Sequence, residues 1–510
     1  MSKFADILRE IRTELFYPVP CLQCKSYKTS CPRTVYVKDL VSNIKDTVKN
    51  PKKIRRSHSF SRPYFTIWMI LVDTLVIIAA LCSFSFAPLG ATFKKIKKPL
   101  LRHNLAYETV THMQQENFWI GPQYDDLIHL GAKYAPCMRD DIAVLTMVEA
   151  EKKVEDGTGC CVRKDLNVCW QTLAENCTSA FCDFYEDKVC GVSRKFCKHA
   201  EDSINDTVWK GPKTTWPNCR VGENRSRVDR EQFPALACEV AARPCCFGLQ
   251  GQCAIISEEE CAFRNGYFHP HHSLCSQVDC VKHVCGIDVS GLYQFYRFFL
   301  PTFIHGGILH LLTSLLFLYF IVWPYEEGVG WWRTALVYIL SGTGGTLLSG
   351  LLTPYQPMVG ASSSLFGIIG SHIARDIIKI REWRKGRHLL REHQTRKMLC
   401  WLGICVILLI PGLLPWIDNW AHVGGLVFGF LVSMVTLTHE VPRCTGDYLI
   451  RITVRIVLAC FGVLAAVLLT YLFYYKQDLN LHLGWFNCIP FTSDFCKDSC
   501  MELQPRVENV

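Results

Sequence analysis

The sequence predicts an α-helical polytopic membrane protein, a six-helix core reached after one earlier span, with a disulfide-rich domain inserted between the first two spans. Three observations predict it: long apolar runs cluster after residue 298, one more stands alone at 64–86, and 17 of the 28 cysteines fall between Cys137 and Cys285. Composition alone, at 49% hydrophobic and 20% charged residues, suits a large soluble enzyme equally well, so the distribution carries the assignment.

Residues 1–62 hold fourteen Lys/Arg and five Asp/Glu, a balance of +9 that equals the formal net charge of the whole chain. By the positive-inside rule this region is expected in the cytosol. It is polar and basic, and the apolar run at 64–86 starts too late and runs too long for a cleavable signal, so that run is expected to be retained as an anchor apart from the body that follows. Cys21 and Cys24 form a CxxC with Cys31 nearby, a set short of a fourth zinc ligand, and palmitoylated or plain reduced thiols are the other reading. The run from Lys52 to Ser59 places Ser57 and Ser59 beside basic residues, which suits either phosphorylation or attraction to anionic lipid.

Residues 87–290 form the cysteine-rich segment. Its cysteines are irregularly spaced, which favours disulfides over a metal site, and the pairing cannot be read from sequence. Glycosylation sequons at Asn176, Asn205 and Asn224 lie in the same stretch and are usable only on the lumenal side. Further spans are expected at about 298–322, 332–352, 360–380, 398–416, 419–438 and 452–475. Counting from a cytosolic N terminus, the basic connection 381–397 falls in the cytosol, and the tail 476–510 with Cys488, Cys496 and Cys500 falls in the lumen. The membrane core is thus placed at 291–475, in the endoplasmic reticulum and later secretory pathway. No metal, cofactor or nucleic-acid site is expected.

Polar groups inside a bilayer are costly and call for a partner, a wet cavity or a function. His305 and His310 lie early in the second span, Ser362 opens the fourth and His422 opens the sixth, all toward one side of the membrane. A serine and a histidine at matching depth can form a dyad in which imidazole takes the hydroxyl proton during attack on a carbonyl. The backbone N–H of Ser362 and the side chain of His310 are candidate oxyanion donors. Gly425 and Gly429 follow His422 on one helix face and allow close approach to the Ser362 helix. Helix capping by the serine and interfacial packing by the histidines account for the same residues without catalysis.

These motifs resemble the rhomboid superfamily of intramembrane serine proteases: His305 and His310, Glu326 and Gly330, Gly360-Ala361-Ser362, and Ala421-His422 with Gly425 and Gly429. The resemblance covers nearly all of 64–500. It implies Ser362 as nucleophile, His422 as general base, His310 as oxyanion donor, and Glu326, Gly330, Gly360, Gly425, Gly429 and Arg297 as structural residues. The segments QQENFWIGP, DLIHLGAKYAPC, RPCCFG, LCSQVDC and GLLPWIDN resemble the iRhom branch, whose members are mostly pseudoproteases that bind single-pass membrane clients, some of them escorting a shedding metalloprotease. The chain departs from that branch in carrying Ala361 and Ser362, where iRhoms place Pro and lack the nucleophile. It departs from active rhomboids at Ser314, in place of an oxyanion-hole Asn, at Ser363, in place of Gly, and at Tyr296 before Arg297. The resemblance therefore implies two functions: an intramembrane serine endopeptidase acting on single-pass clients, or an inactive adaptor regulating their trafficking or degradation together with a membrane metalloprotease.

Overall fold

The computed structural model describes residues 62–90, 93–178, 180–192, 211–217, 234–286, 294–382, 388–414, 417–437, 448–476 and 486. Asn205, Asn224, the basic N-terminal region through Ser61 and the tail cysteines Cys488, Cys496 and Cys500 lie outside the described residues.

The first helix, α1 (Tyr64–Ser83), leads into a ribbon of two antiparallel strands, β1 (Phe93–Leu101) and β2 (Tyr107–Gln115). Helices α2 (Tyr124–Leu130) and α3 (Ile142–Asp156) follow. A four-stranded sheet runs in the order β5-β3-β4-β6, from β3 (Gly159–Arg163), β4 (Val168–Thr172), β5 (Cys182–Tyr185) and β6 (Glu239–Val240). A three-stranded sheet, β8-β7-β9, is built from β7 (Arg243–Phe247), β8 (Gln252–Ile256) and β9 (Tyr267–Phe268), with α4 (Glu258–Phe263) before β9 and α5 (Cys280–Cys285) after it.

Sheets this short bury little apolar area, and disulfides supply what the core lacks. Among the described residues Cys160 pairs with Cys190, Cys161 with Cys177, Cys169 with Cys238, Cys245 with Cys261, Cys246 with Cys280 and Cys253 with Cys275. Cys137–Cys285 closes a loop of 148 residues, for which chain entropy alone predicts about 5 kcal/mol of stabilisation.

The helical bundle continues with α6 (Ile308–Phe317), α7 (Trp323–Val329), α8 (Trp331–Leu352), α9 (Ser362–Glu382), α10 (His388–Leu409), α11 (Asn419–Thr436) and α12 (Tyr448–Tyr475). Six helices among the described residues are long and apolar enough to cross a membrane. The remaining expected span, α9, falls short in composition because Arg375, Asp376 and Lys379 occupy its second half. It packs between α8, α10 and α11, and Asp376 accepts a hydrogen bond from Gln394. A helix walled by protein has little need of an apolar surface.

Two expectations are corrected. The span expected at 298–322 starts at Ile308, because Pro301 and the Gly306-Gly307 pair hold the preceding stretch in short 3₁₀ turns and loop. It passes through a π-helical turn at Leu318–Val322 and continues beyond Pro324 to Val329. The first span is no separate anchor: Phe65 and Met69 are buried in one cluster with Leu318, Val322, Tyr325, Val337, Tyr338, Ala361 and Leu365. The peripheral helix is α12, with 6% of its spanning window buried.

Candidate functional site

Ser362 is the first residue of α9, and the chain reaches it through a turn that only glycine adopts readily: Gly360 has φ +121° and its N–H donates to Pro301 O at 2.9 Å. The first bond to close a helical turn runs from Leu365 N–H to Ala361 O, 3.0 Å, so the N–H groups of Ser362 and Ser363 precede the helical ladder. Space is equally restricted at Gly360, where an added Cβ would lie 2.5 Å from Cε1 and 2.7 Å from Nε2 of His310. His310 Nδ1 accepts the Gly306 N–H at 3.3 Å, which leaves the proton of the neutral ring on Nε2, beside Gly360. His305 is buried edge-on to His310, with ring centroids 5.3 Å apart. Ser314, one turn past His310, is buried on the same helix.

His422 reaches the site from α11. Gly425 and Gly429 bring the two helices together: a Cβ at Gly425 would lie 2.0 Å from Ser363 O, and one at Gly429 2.2 Å from Gly367 O. The His422 ring lies flat on Phe366, centroids 4.2 Å apart and planes 9° from parallel. Phe366 is one turn beyond Ser362, so the stack holds the imidazole beside the α9 N-terminus. Among the described residues both buried His422 ring nitrogens lack a hydrogen-bond partner, and no hydrogen bond joins the ring to Ser362. The Phe366 stack brings His422 to the helix end that carries Ser362, and among the described residues no hydrogen bond joins the two.

The cysteine-rich domain rests directly on this end of the bundle. Trp119 stacks on His310 with centroids 4.8 Å apart. The carbonyls of Ile120 and Trp119 accept the N–H groups of Ile308 and Leu309 at 3.0 and 3.1 Å, capping the start of α6. Asn117 is buried and donates to Gly306 O at 2.8 Å. Farther along, Lys133 pairs backbone to backbone with Met358, four residues before Ser362, at 2.9 and 3.0 Å. Its buried ammonium donates to Thr353 O at 2.8 Å and lies 3.8 Å from Asp418, too far for a hydrogen bond and close enough for an ion pair. Burial lowers the Lys133 pKa to about 8. Asp418 caps α11 by accepting the N–H groups of Trp420 and Ala421 at 3.0 and 3.2 Å.

The remaining motif residues are architectural. The fully buried Glu326 carboxylate accepts the N–H groups of Phe65 and Thr66, both at 2.8 Å, and the Thr66 hydroxyl at 2.6 Å, so it caps α1. Gly330 ends α7 at φ +97° with open space around it, so its requirement is conformational. Arg297 is fully buried and donates to the carbonyls of Ile128, Ala132 and Cys285, each at 2.7 Å. Two of these, Ile128 and Cys285, lie in the last turns of α2 and α5, whose negative dipole ends suit a cation. Burial lowers its pKa only to about 10, and it stays charged at neutral pH. Asn176 is exposed at the end of a short 3₁₀ turn, where a sequon is accessible.

Residues 292–439 match the rhomboid domain. The chain is 34% identical to inactive rhomboid protein 2 of Homo sapiens across 89% of this chain and 54% of that protein. It is 36% identical to inactive rhomboid protein 1 of Danio rerio across 86% of this chain and 52% of that protein. The rhomboid domain and the identity over most of the chain support the rhomboid superfamily, on the side of the inactive-rhomboid branch. The chain spans about half the length of these relatives.

His305, His310, Gly360, Ser362 and His422 come together at one end of the bundle, whereas Glu326 and Gly330 serve the α1 start and the α7 end. Sequence reasoning missed Phe366, whose signal was its spacing of four from Ser362, and quoted Asp418 only inside the segment GLLPWIDN, although it stands one residue before the α11 start as an N-cap acid should. It quoted Trp119 and Lys133 only as parts of resembling segments. No local pattern announces that they reach helices about two hundred residues or more away.

Proposed function

We propose that the chain is a catalytically silent adaptor that binds single-pass transmembrane clients in the secretory pathway and steers their trafficking or degradation. The cysteine-rich domain faces the lumen with Asn176, Asn205 and Asn224 as glycan sites, the N-terminal region is cytosolic and the tail is lumenal. The observation that carries this reading is the unengaged pair: among the described residues neither His422 ring nitrogen has a hydrogen-bond partner and no hydrogen bond joins the ring to Ser362, while Trp119 stacks on His310. The names of the relatives, inactive rhomboid proteins, agree with it. A membrane metalloprotease is among the candidate clients or partners.

The experiment is co-capture of a tagged single-pass client from detergent-solubilised membranes. Capture by Ser362→Ala equal to wild type, with the client intact in both, supports the adaptor. A cleaved client in wild type that is intact with Ser362→Ala contradicts it.

A second reading keeps Ser362 as a nucleophile, favoured by the His310 Nε2–H aimed at the Gly360 turn. Ser362 Oγ would attack a client peptide carbonyl, His422 would accept its proton, and His310 with the Ser362 N–H would hold the oxyanion. Ser314 is the shorter substitute at the remaining donor position. This route needs the His422 ring to gain a hydrogen bond to Ser362.

A further inference from the structure

The β1–β2 ribbon carries a feature that neither the rhomboid site nor the disulfide core uses. Strand β1 reads FKKIKKPLL, and Lys94, Lys95, Lys97 and Lys98 are all exposed. Side chains alternate along a strand, so Lys94 and Lys98 project from one face and Lys95 and Lys97 from the other. Their cross-strand neighbours on β2 are Gln114, Met113, Thr111 and Val110, none of them acidic. Of the acids near the ribbon, Glu108 is engaged with Arg102 at 2.9 Å, Glu259 accepts the Leu101 N–H at the far end, and the Glu116 carboxylate lies against Gly90. Among the described residues the ribbon is a sheet of two strands, so the outer edge of β1 is open over the lysine stretch.

The patch lies at the membrane-proximal end of the domain. Residue 93 is ten residues beyond the end of α1, and Asn117, two residues after β2, bonds both Pro88 and the Gly306 carbonyl at the head of the bundle. The opposite end of the ribbon turns away, with Leu101 bonded to Ser257 and Arg163 bonded to the Asn104 carbonyl in the outer sheets. Four positive charges over about 14 Å of strand thus stand beside the helices.

We infer that this lysine edge is a docking surface for an acidic, extended juxtamembrane segment of a client, which adds to β1 as a further strand. The inference deepens the adaptor reading and rests on it. An extended peptide satisfies the open backbone edge while its carboxylates meet lysines on both faces, whereas a membrane plane meets only one face.

The test uses full-length protein and single-pass reporters that differ only in the segment outside the bilayer on the domain's side: acidic, neutral or basic. The wild type is expected to capture the acidic reporter about tenfold better than the neutral one, the sum of several exposed ion pairs, and the difference is expected to shrink in high salt. The variant with Lys94, Lys95, Lys97 and Lys98 all changed to Glu is expected to lose that preference and to prefer the basic reporter. This gain of binding requires a folded domain, so misfolding cannot imitate it. Equal capture of all reporters by both forms overturns the docking surface and leaves the adaptor standing, whereas no capture of any reporter by wild type overturns both. Amine labelling of the hairpin that follows phosphatidylserine content and not reporter charge assigns the lysines to lipid, against the inference. A quadruple Lys→Gln form that only self-associates assigns them to edge protection, also against it.

Discussion

Lys133 of the cysteine-rich domain and Asp418 of the bundle face each other at 3.8 Å with both side chains buried. One residue of this pair is bonded to the loop that leads to Ser362, and the other caps the helix that carries His422. The domain is therefore mechanically part of the membrane site. Lys133→Met, which leaves a buried carboxylate without its cation, is expected to destabilise the protein by about 3–5 kcal/mol. Thermal unfolding in detergent measures it, and adding Asp418→Asn to Lys133→Met should recover part of the loss.

Glu326 gathers three donors at the start of α1. Glu326→Ala strands them in a buried position, at about 1–3 kcal/mol for each donor left unsatisfied, while Glu326→Gln keeps an acceptor and should cost less. Protease accessibility at the start of α1 should rise in the order wild type, Gln, Ala.

Gly425 has no room for a side chain, since a Cβ would lie 2.0 Å from the Ser363 carbonyl oxygen. Gly425→Ala must push α9 and α11 apart and is expected to cost about 1–3 kcal/mol. Comparable loss is expected at Gly429, whereas Gly462 of α12, with open space around it, should accept Ala without a measurable shift in melting temperature.

Asp126, in the first turn of α2, has its pKa raised to about 6 by burial and by the neighbouring Asp125. Between the usual aspartate range and pH 6 the folded protein binds more protons than the unfolded chain. Its contribution to stability is complete at low pH and is lost as pH rises through 6. Denaturation midpoints measured across that window should show the slope in wild type, and a reduced slope in Asp126→Asn.

The parts of the fold readable in advance are those written in local pattern. Apolar runs of spanning length, the glycines at spacing four after His422 and the crowding of cysteines each follow from chemistry within a few residues. The parts that were not readable join residues far apart in the chain. Glu326 meets Thr66 across 260 positions and Arg139 donates to Phe473 O across 334, and neither pair leaves a periodic trace. The first span reads as an anchor by hydropathy because hydropathy counts apolar residues and says nothing about which face a distant acid will cap. The dyad was legible as residue types at matching depth. What sequence could not give was the orientation of the His422 ring, set by its stack on Phe366, or the cover placed over His310 by Trp119.

Labelling of the full-length protein by a serine-reactive fluorophosphonate, compared with Ser362→Ala under the same conditions, tests most directly whether the site is catalytically silent. The unbonded Ser362 and His422 predict no Ser362-dependent labelling while client capture is undiminished. Labelling of the wild type that disappears in Ser362→Ala would contradict it and establish an armed nucleophile beneath the cysteine-rich domain.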